Sequence, residues 1–326
     1  MIYSAWRSAG LKLPLEVSPE ECAGKTYIVT GSNIGIGLEV VRNLVAQKPT
    51  RVIMAVRSLD RGEAARRDVE ASTGVVGIAE VWHLDLSSYK SIRDFAGKVR
   101  HLDRVDVVIQ NAVSAQVDWE VAEGWEQGIT VNVLGTMLLA MLLMPYLQSC
   151  SKRFGTTPTI SFVGSGMAFI VEGELRRLNR ERIFEDWNDQ AKYSMSKLLL
   201  LFAVHRLAEL APPEKTGVVL NVCDPGPCRN TGLVRYADLL SKLQIKVLYT
   251  FISRTAEMGS RAVIFAAVKG KETHGKFVEN CVSDEKGVPE WITNDDGKLW
   301  AERVWSQVAA ELEKIEPGCV RKALLS

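Results

Sequence analysis

The sequence has no block of like charge: its 40 basic and 39 acidic side chains are interspersed and leave a formal net charge of +1. Without a basic patch, nothing in the charge pattern favours binding to nucleic acid or to an anionic membrane surface. The four histidines lie far apart and show no metal-ligand spacing, so no metal site is predicted. A small molecule is therefore the expected ligand class.

The six cysteines also lack a pattern, since they include no C-x-x-C pair, no zinc spacing and no dense disulfide framework. We interpret them as reduced thiols of a cytoplasmic protein. Residues 1–22 contain no continuous apolar core and match neither a secretory signal nor a transit peptide. We expect these residues to form an N-terminal extension that precedes the folded domain.

Long hydrophobic runs are missing as well. The longest apolar stretch, 133–144, is interrupted by Gly135 and Thr136 and is too short to cross a bilayer. We predict a buried helix there and no transmembrane segment. Hydrophobic residues nevertheless make up 47% of the chain, which is enough for a sizeable core, and no repeat or low-complexity linker divides it. Residues 23–326 are expected to form one domain.

Short runs of β-branched residues alternate with longer segments of helical periodicity along the chain. The predicted strands are 26–30, 51–56, 80–84, 105–110, 159–163, 217–222 and 276–279. The predicted helices are 34–47, 61–72, 88–100, 123–149, 190–210, 255–268 and 296–315. Because strands and helices alternate, we predict an α/β, Rossmann-type doubly wound fold with a mostly parallel seven-stranded sheet flanked by helices on both faces.

Two segments, about 167–189 and 232–253, interrupt this alternation, and each follows the end of a predicted strand. In open α/β sheets ligands bind at the carboxyl ends of the strands, so we predict that both segments are walls and lids of a substrate pocket. Their many large apolar side chains favour a lipophilic substrate. The same side chains are equally compatible with a role in the core.

A glycine-rich turn follows the first predicted strand and leads into a helix. Gly31 permits the tight turn, Gly35 lets the backbone approach a diphosphate, and Gly37 allows close packing of helix and strand. The helix N-terminus adds unpaired N–H groups and a positive dipole. The order of strand, turn and helix predicts a dinucleotide site that includes Gly31, Ser32, Asn33, Ile34, Gly35 and Gly37.

Arg57 and Ser58 directly follow the second predicted strand, and no carboxylate comes before Asp60. A site for NAD places an acid here to bind the ribose hydroxyls, whereas a site for NADP places an arginine for the 2′-phosphate. The planar guanidinium of Arg57 suits a phosphate, and Ser58 can add a donor. We therefore expect NADP(H) to be preferred over NAD(H); the alternative is that Arg57 is an ordinary exposed charge.

Tyr193 and Lys197 are four positions apart at the start of a predicted helix, so their side chains share one face. A tyrosine with an ordinary pKa of about 10 is a poor base near neutral pH, but a nearby ammonium favours the phenolate and lowers that pKa. The pair predicts acid–base chemistry in which Lys197 tunes Tyr193. Ser165, after the fifth predicted strand, can donate a hydrogen bond to a substrate oxygen.

The spacing Thr-Gly-x-x-x-Gly-x-Gly at 30–37 resembles that of the short-chain dehydrogenase/reductase family, and further matches cover nearly the whole chain. In the family's order these matches are Asp85-Leu86, Asn111-Ala112, Asn132, Ser165, Tyr193 with Lys197, and Pro225-Gly226. Within the family, the chain is most similar to fungal and retinol-dehydrogenase-like NADP-dependent members. Two runs carry this likeness: Arg-Ser-Leu-Asp-Arg-Gly-Glu-Ala-Ala at 57–65 and Thr-His-Gly-Lys-Phe at 273–277.

The resemblance implies that Ser165 binds the substrate oxygen, that Tyr193 supplies the proton, and that Lys197 also binds the nicotinamide ribose. It implies that Asn132 bends its helix and positions a water that relays protons toward the lysine. The implied cofactor contacts include Asp85, which lies against the adenine, together with Leu86, Asn111, Ala112, Tyr193, Lys197, Pro225, Gly226 and Thr231. Asn230 is the alternative to Thr231 at the carboxamide.

Two positions and one interval depart from the family's pattern. Val113 stands where the family usually has a glycine, after Asn111 and Ala112. After the fifth strand the family usually has two serines, and here Gly164 replaces the first while Ser165 keeps the second. The interval of 28 positions between Ser165 and Tyr193 is about twice that of compact members, and we expect the insertion to shape the pocket. Many relatives pair through helices equivalent to 123–149 and 190–210, so a homodimer is a possible assembly unless the N-terminal extension covers that surface.

The resulting hypothesis is the NADPH-dependent reduction of a ketone or aldehyde on a lipophilic small molecule, such as an intermediate of secondary metabolism. One alternative keeps the fold and cofactor but directs the chemistry to isomerisation, dehydration or cyclisation. Another is a regulator that senses NADPH without turnover. Since a binding module has no need of a tuned tyrosine, the Ser165, Tyr193 and Lys197 set favours an enzyme.

Overall fold

Seven parallel strands form the central sheet of this computed structural model, which describes residues 11–115, 118–187, 191–229 and 253–325. The strands are β1 (Thr26–Thr30), β2 (Arg51–Val56), β3 (Ala79–His83), β4 (Val107–Gln110), β5 (Thr159–Val163), β6 (Val219–Asp224) and β7 (Phe277–Glu279). Their order in the sheet is β3-β2-β1-β4-β5-β6-β7. The order reverses at β1, so the topological switch point, where ligands of such sheets bind, lies between β1 and β4.

Within the described residues, eight α-helices of seven residues or more cover both faces of the sheet. They are α1 (Gly35–Ala46), α2 (Leu59–Thr73), α3 (Tyr89–Val99), α4 (Thr136–Phe154), α5 (Lys192–Leu210), α6 (Ala256–Val268), α7 (Asp295–Ile315) and α8 (Cys319–Leu325). One hydrophobic core lies between the sheet and α1, α2 and α6, and a larger one lies under the other five helices. The predicted fold class is confirmed, and every strand pair in the described sheet is parallel.

The strands are apolar because both of their faces are covered. All five residues of β1 and all five of β5 are buried, as is every residue of β4. A strand buried on both faces gains nothing from alternating polar side chains. The sequence therefore predicts β1, β2 and β5 with the bounds that the structure has, and β3, β4, β6 and β7 to within two residues.

The helix predicted to begin at residue 123 starts later than expected. Residues Val121–Ala122 and Trp125–Glu126 pair as a short antiparallel hairpin, and Glu123 at its turn has a positive φ of 53°. A π-helical turn, Ile129–Gly135, follows and continues into α4. The carboxylate of Glu126 accepts a hydrogen bond of 3.2 Å from the N–H of Ile129, and this side-chain contact ends the hairpin and starts the helix.

The outer sides of α4 and α5 are covered by the C-terminal helices. α7 packs along α5, and α8 packs on α4, where Gln148 donates a hydrogen bond of 2.7 Å to the carbonyl of Ala323. Trp300, Val304 and Val308 of α7 are buried in this contact.

The described part of the N-terminal extension, residues 11–22, lies on the other side of the sheet from α4 and α5. Arg261 of α6 donates a hydrogen bond of 2.8 Å to the carbonyl of Leu13, and Lys269 forms an ion pair of 3.0 Å with Glu16. Val17 and Cys22 are buried in the core on the α1 and α6 side. Residues 13–22 therefore extend the face of the sheet opposite to α4 and α5.

One helical stretch within the described residues, Ile129–Phe154, is long and apolar enough by composition to cross a membrane. Most of it is buried inside the fold, where it forms the π-helical turn and α4. The core position accounts for its apolar composition, as the sequence analysis expected of residues 133–144.

Candidate active site

The glycine-rich turn between β1 and α1 is held against the end of β4. Gly31 has a positive φ of 64°, and a Cβ on it would lie 2.8 Å from the Cα of Ala112. A Cβ on Gly37 would lie 2.4 Å from the side-chain nitrogen of Asn111 and 2.7 Å from the carbonyl oxygen of Gly31. Gly35 also has a positive φ, of 60°. Glycine is therefore required at these positions by the turn itself.

Asn111 and Ala112 contribute to that turn through their polar groups. The side-chain nitrogen of Asn111 donates to the carbonyl oxygens of Thr30, at 2.9 Å, and of Gly31, at 3.2 Å. The N–H of Ala112 donates to the hydroxyl of Thr30 at 2.9 Å. The two residues predicted to contact the cofactor thus brace the loop that carries the glycines.

The N-terminus of α1 offers its backbone N–H groups to a ligand. Ile34 precedes the helix in an extended conformation, and within the described residues no side chain caps the helix and no acid lies in its first turn. The N–H groups of Gly35, Ile36 and Gly37 have no intrahelical acceptor in this position. By contrast, serine or threonine side chains cap α2, α3 and α6. An anion such as a diphosphate fits the open end of α1.

Arg57 follows β2 and is exposed, and no hydrogen bond or ion pair joins its side chain to another described residue. Ser58 caps α2 by accepting a hydrogen bond of 3.5 Å from the N–H of Arg61. After β3, one carboxylate oxygen of Asp85 accepts hydrogen bonds from the N–H and hydroxyl of Ser87. These residues lie at the carboxyl ends of β2 and β3, on the same edge of the sheet as the glycine turn.

Tyr193 and Lys197 lie in the first turns of α5, beside β5. Lys197 is only 3% exposed, and its Nζ donates a hydrogen bond of 2.6 Å to the carbonyl oxygen of Val163, the last residue of β5. The same nitrogen lies 6.0 Å from the centroid of the Tyr193 ring. Burial lowers the pKa of Lys197 to about 8, against the opposing effect of Cys223 and Asp224.

Asn132, in the π-helical turn, joins two other segments of the site. Its side-chain oxygen accepts from the N–H of Ser114 at 2.8 Å, and its nitrogen donates to the carbonyl of Ser114 at 2.8 Å. The same nitrogen donates to the hydroxyl of Ser196 at 2.9 Å, and that hydroxyl donates to the carbonyl of Tyr193 at 2.8 Å. The buried amide therefore ties the loop after β4 to the turn of α5 that carries Tyr193.

Ser165 follows β5 and is partly exposed. Its hydroxyl oxygen accepts a hydrogen bond of 3.2 Å from the N–H of Met167 and so caps the short helical turn Gly166–Ile170. A hydroxyl that accepts one hydrogen bond keeps its own hydrogen for donation. The preceding Gly164 has no room for a serine, because a Cβ there would lie 2.5 Å from a methyl carbon of Val222. This contact explains the departure from the usual serine pair.

The sequence analysis missed two residues near this site, Asp224 at the end of β6 and Arg254 before α6. One carboxylate oxygen of Asp224 accepts from the N–H of Gly226 at 2.9 Å, and the other accepts from the N–H of Gly166 at 3.0 Å. Gly226 has a φ of 72°, and a Cβ on it would lie 3.1 Å from the guanidinium carbon of Arg254. The available signal was a carboxylate directly after an apolar strand, beside Pro225.

The predicted carboxamide contacts Thr231 and Asn230 lie outside the described residues, as does segment 232–252. The other predicted wall is segment 167–189, of which the structure describes residues 167–187. This described part is joined to α7. Gln307 accepts a hydrogen bond of 2.8 Å from the N–H of Ile183 and donates one of 2.8 Å to the carbonyl of Arg180. Asp296 pairs with Arg176 at 3.0 Å and also with Arg180.

Several apolar side chains assigned to that wall belong to the core instead. Leu175, Ile183 and Phe184 are buried, and Phe169 packs on Phe277 with ring centroids 4.9 Å apart. Ile170 is 39% exposed. The described part of this segment is fixed to α7 and to the core, and only part of its apolar surface faces outward.

Comparison with known proteins identifies the family of this fold and site. The sequence model of the short chain dehydrogenase family matches residues 25–172. A short chain dehydrogenase/reductase of Cryptosporiopsis sp. is 36% identical over 307 residues, which cover 91% of this chain and 93% of that protein. A short-chain dehydrogenase of Penicillium roqueforti is 32% identical over 312 residues, which cover 93% and 81%.

A solved structure with the same fold is that of a short-chain dehydrogenase from Sphingobium yanoikuyae in complex with NADPH. The TM-score is 0.58 and the identity 20%, with 78% of this chain and 87% of that chain covered. This likeness shows the fold. The identity and extent of the sequence matches establish that the chain belongs to the short-chain dehydrogenase/reductase family of oxidoreductases.

Proposed function

We propose that this protein is an NADPH-dependent reductase of ketones or aldehydes on lipophilic small molecules. The observation that carries the proposal is the position of Lys197: an ammonium buried beside the ring of Tyr193 and fixed to the end of β5, next to Ser165. Burying a cation is costly unless its surroundings hold it. The cost is explained if the Lys197 ammonium tunes Tyr193 for acid–base catalysis.

The cofactor would be held by the turn and helix that lie between β1 and β4. The N–H groups at the start of α1 suit the diphosphate, Arg57 suits the 2′-phosphate, and Asp85 suits the adenine amine. When bound, a reduced nicotinamide supplies the hydride that a carbonyl carbon must receive to become an alcohol carbon. The related Sphingobium yanoikuyae protein, which was solved with NADPH, supports this choice of cofactor.

The chain's own residues would manage the oxygen of the substrate. Ser165 donates its free hydroxyl hydrogen to that oxygen and holds it beside Tyr193. The Tyr193 hydroxyl gives its proton to the oxygen as negative charge develops there, and the resulting phenolate is stabilised by the Lys197 ammonium. Asn132 holds Tyr193 in place through Ser196.

Exposed apolar side chains at this edge of the sheet support a lipophilic substrate. Trp119 is 49% exposed and Val113 38% exposed, both in the loop after β4, and Ile170 follows β5. The Nζ of Lys192 lies 5.5 Å from the centroid of the Trp119 ring, so this loop reaches the start of α5. An apolar patch beside a polar reacting centre is typical of small-molecule sites.

The test is the oxidation of NADPH, followed by absorbance, in the presence of a panel of lipophilic and polar ketones and aldehydes. We expect turnover with lipophilic carbonyl compounds and formation of the matching alcohols. Conversion of a biosynthetic intermediate without consumption of NADPH would favour isomerisation, dehydration or cyclisation instead. Tight NADPH binding with no turnover of any compound would favour the sensor.

A further inference from the structure

Asp224 bridges two loops of the active site. As the last residue of β6, it lies between the turn after β5, which contains Ser165, and the turn that contains Pro225 and Gly226. Its two carboxylate oxygens accept hydrogen bonds of 3.0 Å from the N–H of Gly166 and 2.9 Å from the N–H of Gly226. Each oxygen therefore holds one loop.

The groups that face this carboxylate come from three parts of the chain. Burial raises the pKa of Asp224 above its ordinary value. The hydrogen bonds from Gly226 and Gly166 act against this effect, as do the cations Lys197 of α5 and Arg254, which precedes α6. Cys223 and Cys228 are thiols, and burial raises the pKa of Cys223 well above its ordinary value and that of Cys228 to about 12. Both thiols are therefore uncharged near neutral pH. Among these groups, Asp224 is the only one that can present a negative charge to Lys197.

We propose that Asp224 is a positioning residue for catalysis: its carboxylate braces the Ser165 turn against the Pro225–Gly226 turn and supplies the negative charge near the Lys197 ammonium. This inference rests on the proposed roles of Ser165, Tyr193 and Lys197. Loss of the brace would move the oxygen-binding hydroxyl relative to the nicotinamide side of the site, and small displacements of reacting groups are costly in rate.

A carboxylate performs both tasks, whereas the isosteric amide performs neither completely. In Asp224→Asn, one oxygen could still accept from Gly166 or from Gly226, but the side-chain NH2 would face the other N–H, donor against donor. The variant also carries no charge, so burial would act on Lys197 without an opposing anion. We therefore expect the pKa of Lys197 to fall further below its ordinary value in this variant.

The experiment compares wild type with Asp224→Asn and with Asp106→Asn as a matched control. Asp106 is also a buried carboxylate, which accepts a hydrogen bond of 2.9 Å from the N–H of Thr26 and pairs with Arg104, but it lies at the amino end of β4, away from the site. Two readouts are used: the pH profile of kcat for carbonyl reduction, and amide hydrogen exchange of the segments that contain Gly166 and Gly226.

For Asp224→Asn we expect faster exchange in both segments, a kcat lower by about tenfold, and an alkaline loss of activity displaced to lower pH, while KM changes by less than about threefold. Asp106→Asn should show none of these effects. A wild-type pH profile with kcat within about twofold in Asp224→Asn, or exchange changes no larger than those of Asp106→Asn, would overturn the proposal.

The amide-exchange readout and a second variant, Asp224→Glu, keep the proposal testable if activity or folding is lost. The exchange readout needs no turnover, so a wild-type protein that reduces no carbonyl compound refutes the proposed function while the brace is still tested. If Asp224→Asn does not fold, Asp224→Glu keeps the charge but moves the oxygens by one bond. In Asp224→Glu, amide exchange should be faster in both segments, while kcat should fall at alkaline pH as it does in the wild type. Unchanged amide exchange in these segments would contradict the proposal that Asp224 holds the two turns together.

Discussion

The ammonium of Lys197 donates a hydrogen bond of 2.6 Å to the main-chain carbonyl oxygen of Val163, at the end of β5. This bond fixes a buried cation at the edge of the sheet where the candidate site lies. Because burial lowers the pKa of Lys197 to about 8, its ammonium form is complete well below pH 8 and disappears as the pH rises through that value. The lysine is thus poised to titrate just above neutral pH.

We expect kcat/KM for carbonyl reduction to fall as the pH rises through about 8, since the neutral amine no longer stabilises the phenolate of Tyr193. The measurement is a pH profile of kcat/KM at saturating cofactor, which reports groups of the enzyme–cofactor complex before the carbonyl substrate binds. A profile that stays flat to pH 10 would show that the charge of Lys197 is not needed.

Replacing Arg57 with alanine should weaken NADPH binding much more than NADH binding. The guanidinium is exposed and has no partner among the described residues, so its loss removes a phosphate contact without breaking the fold. We expect the Kd for NADPH to rise by about tenfold or more and that for NADH by less than about twofold, measured by cofactor fluorescence. The control is Arg67→Ala, which removes the same charge from an exposed arginine further along α2. Equal losses of affinity for NADPH and NADH in Arg57→Ala would refute the assignment of Arg57 to the 2′-phosphate.

Replacing Asn132 with alanine should lower both stability and kcat. Asn132 is 1% exposed and makes three side-chain hydrogen bonds, so the variant leaves buried partners unsatisfied and should lose about 2–4 kcal/mol of the free energy of unfolding. The turn that carries Tyr193 also loses its tether. Gln148→Ala, which removes another buried amide between α4 and α8, should lower the free energy of unfolding and leave kcat unchanged. The same kcat in both variants would argue against a positioning role for Asn132.

Gln307→Ala should act on substrate binding. The Gln307 amide holds the wall by hydrogen bonds to Ile183 and Arg180, so its loss frees the segment between Ser165 and Tyr193. We expect KM for a lipophilic carbonyl substrate to rise by about three- to tenfold with a smaller change in kcat. Arg303 lies on the same helix as Gln307 and forms an exposed ion pair with Glu181. In Arg303→Ala, which breaks this ion pair, KM should stay near the wild-type value. An unchanged KM in Gln307→Ala would show that this wall does not line the pocket.

The seven strands could be predicted because each is a short apolar run with helical segments on either side. The π-helical turn and hairpin at 121–135 could not, because they depend on a contact between Glu126 and Ile129 and on a close approach between distant segments. A Cβ on Gly135 would lie 2.4 Å from the carbonyl oxygen of Leu86. Such contacts are invisible to local periodicity.

Some residues of the candidate site could likewise be predicted from the sequence, and others could not. The glycine turn, Ser165, Tyr193 and Lys197 have regular spacings relative to strands and could be located by pattern. Asp224 could not, because its role depends on N–H groups of two loops that only the folded sheet brings together. The anchoring of the wall by Gln307 also joins residues more than 120 positions apart, which no local pattern encodes.

The most direct test of the account is the rate of NADPH-dependent carbonyl reduction by Tyr193→Phe, compared with Tyr146→Phe. Tyr146 contacts the carbonyl of Leu102, away from the site, and serves as the matched control. We predict that Tyr193→Phe loses about 10²- to 10⁴-fold in kcat while it binds NADPH within about threefold of wild type, and that Tyr146→Phe keeps its kcat. A Tyr193→Phe variant that reduces the same substrate within about twofold of the wild-type rate would contradict the assignment of Tyr193 as the proton donor.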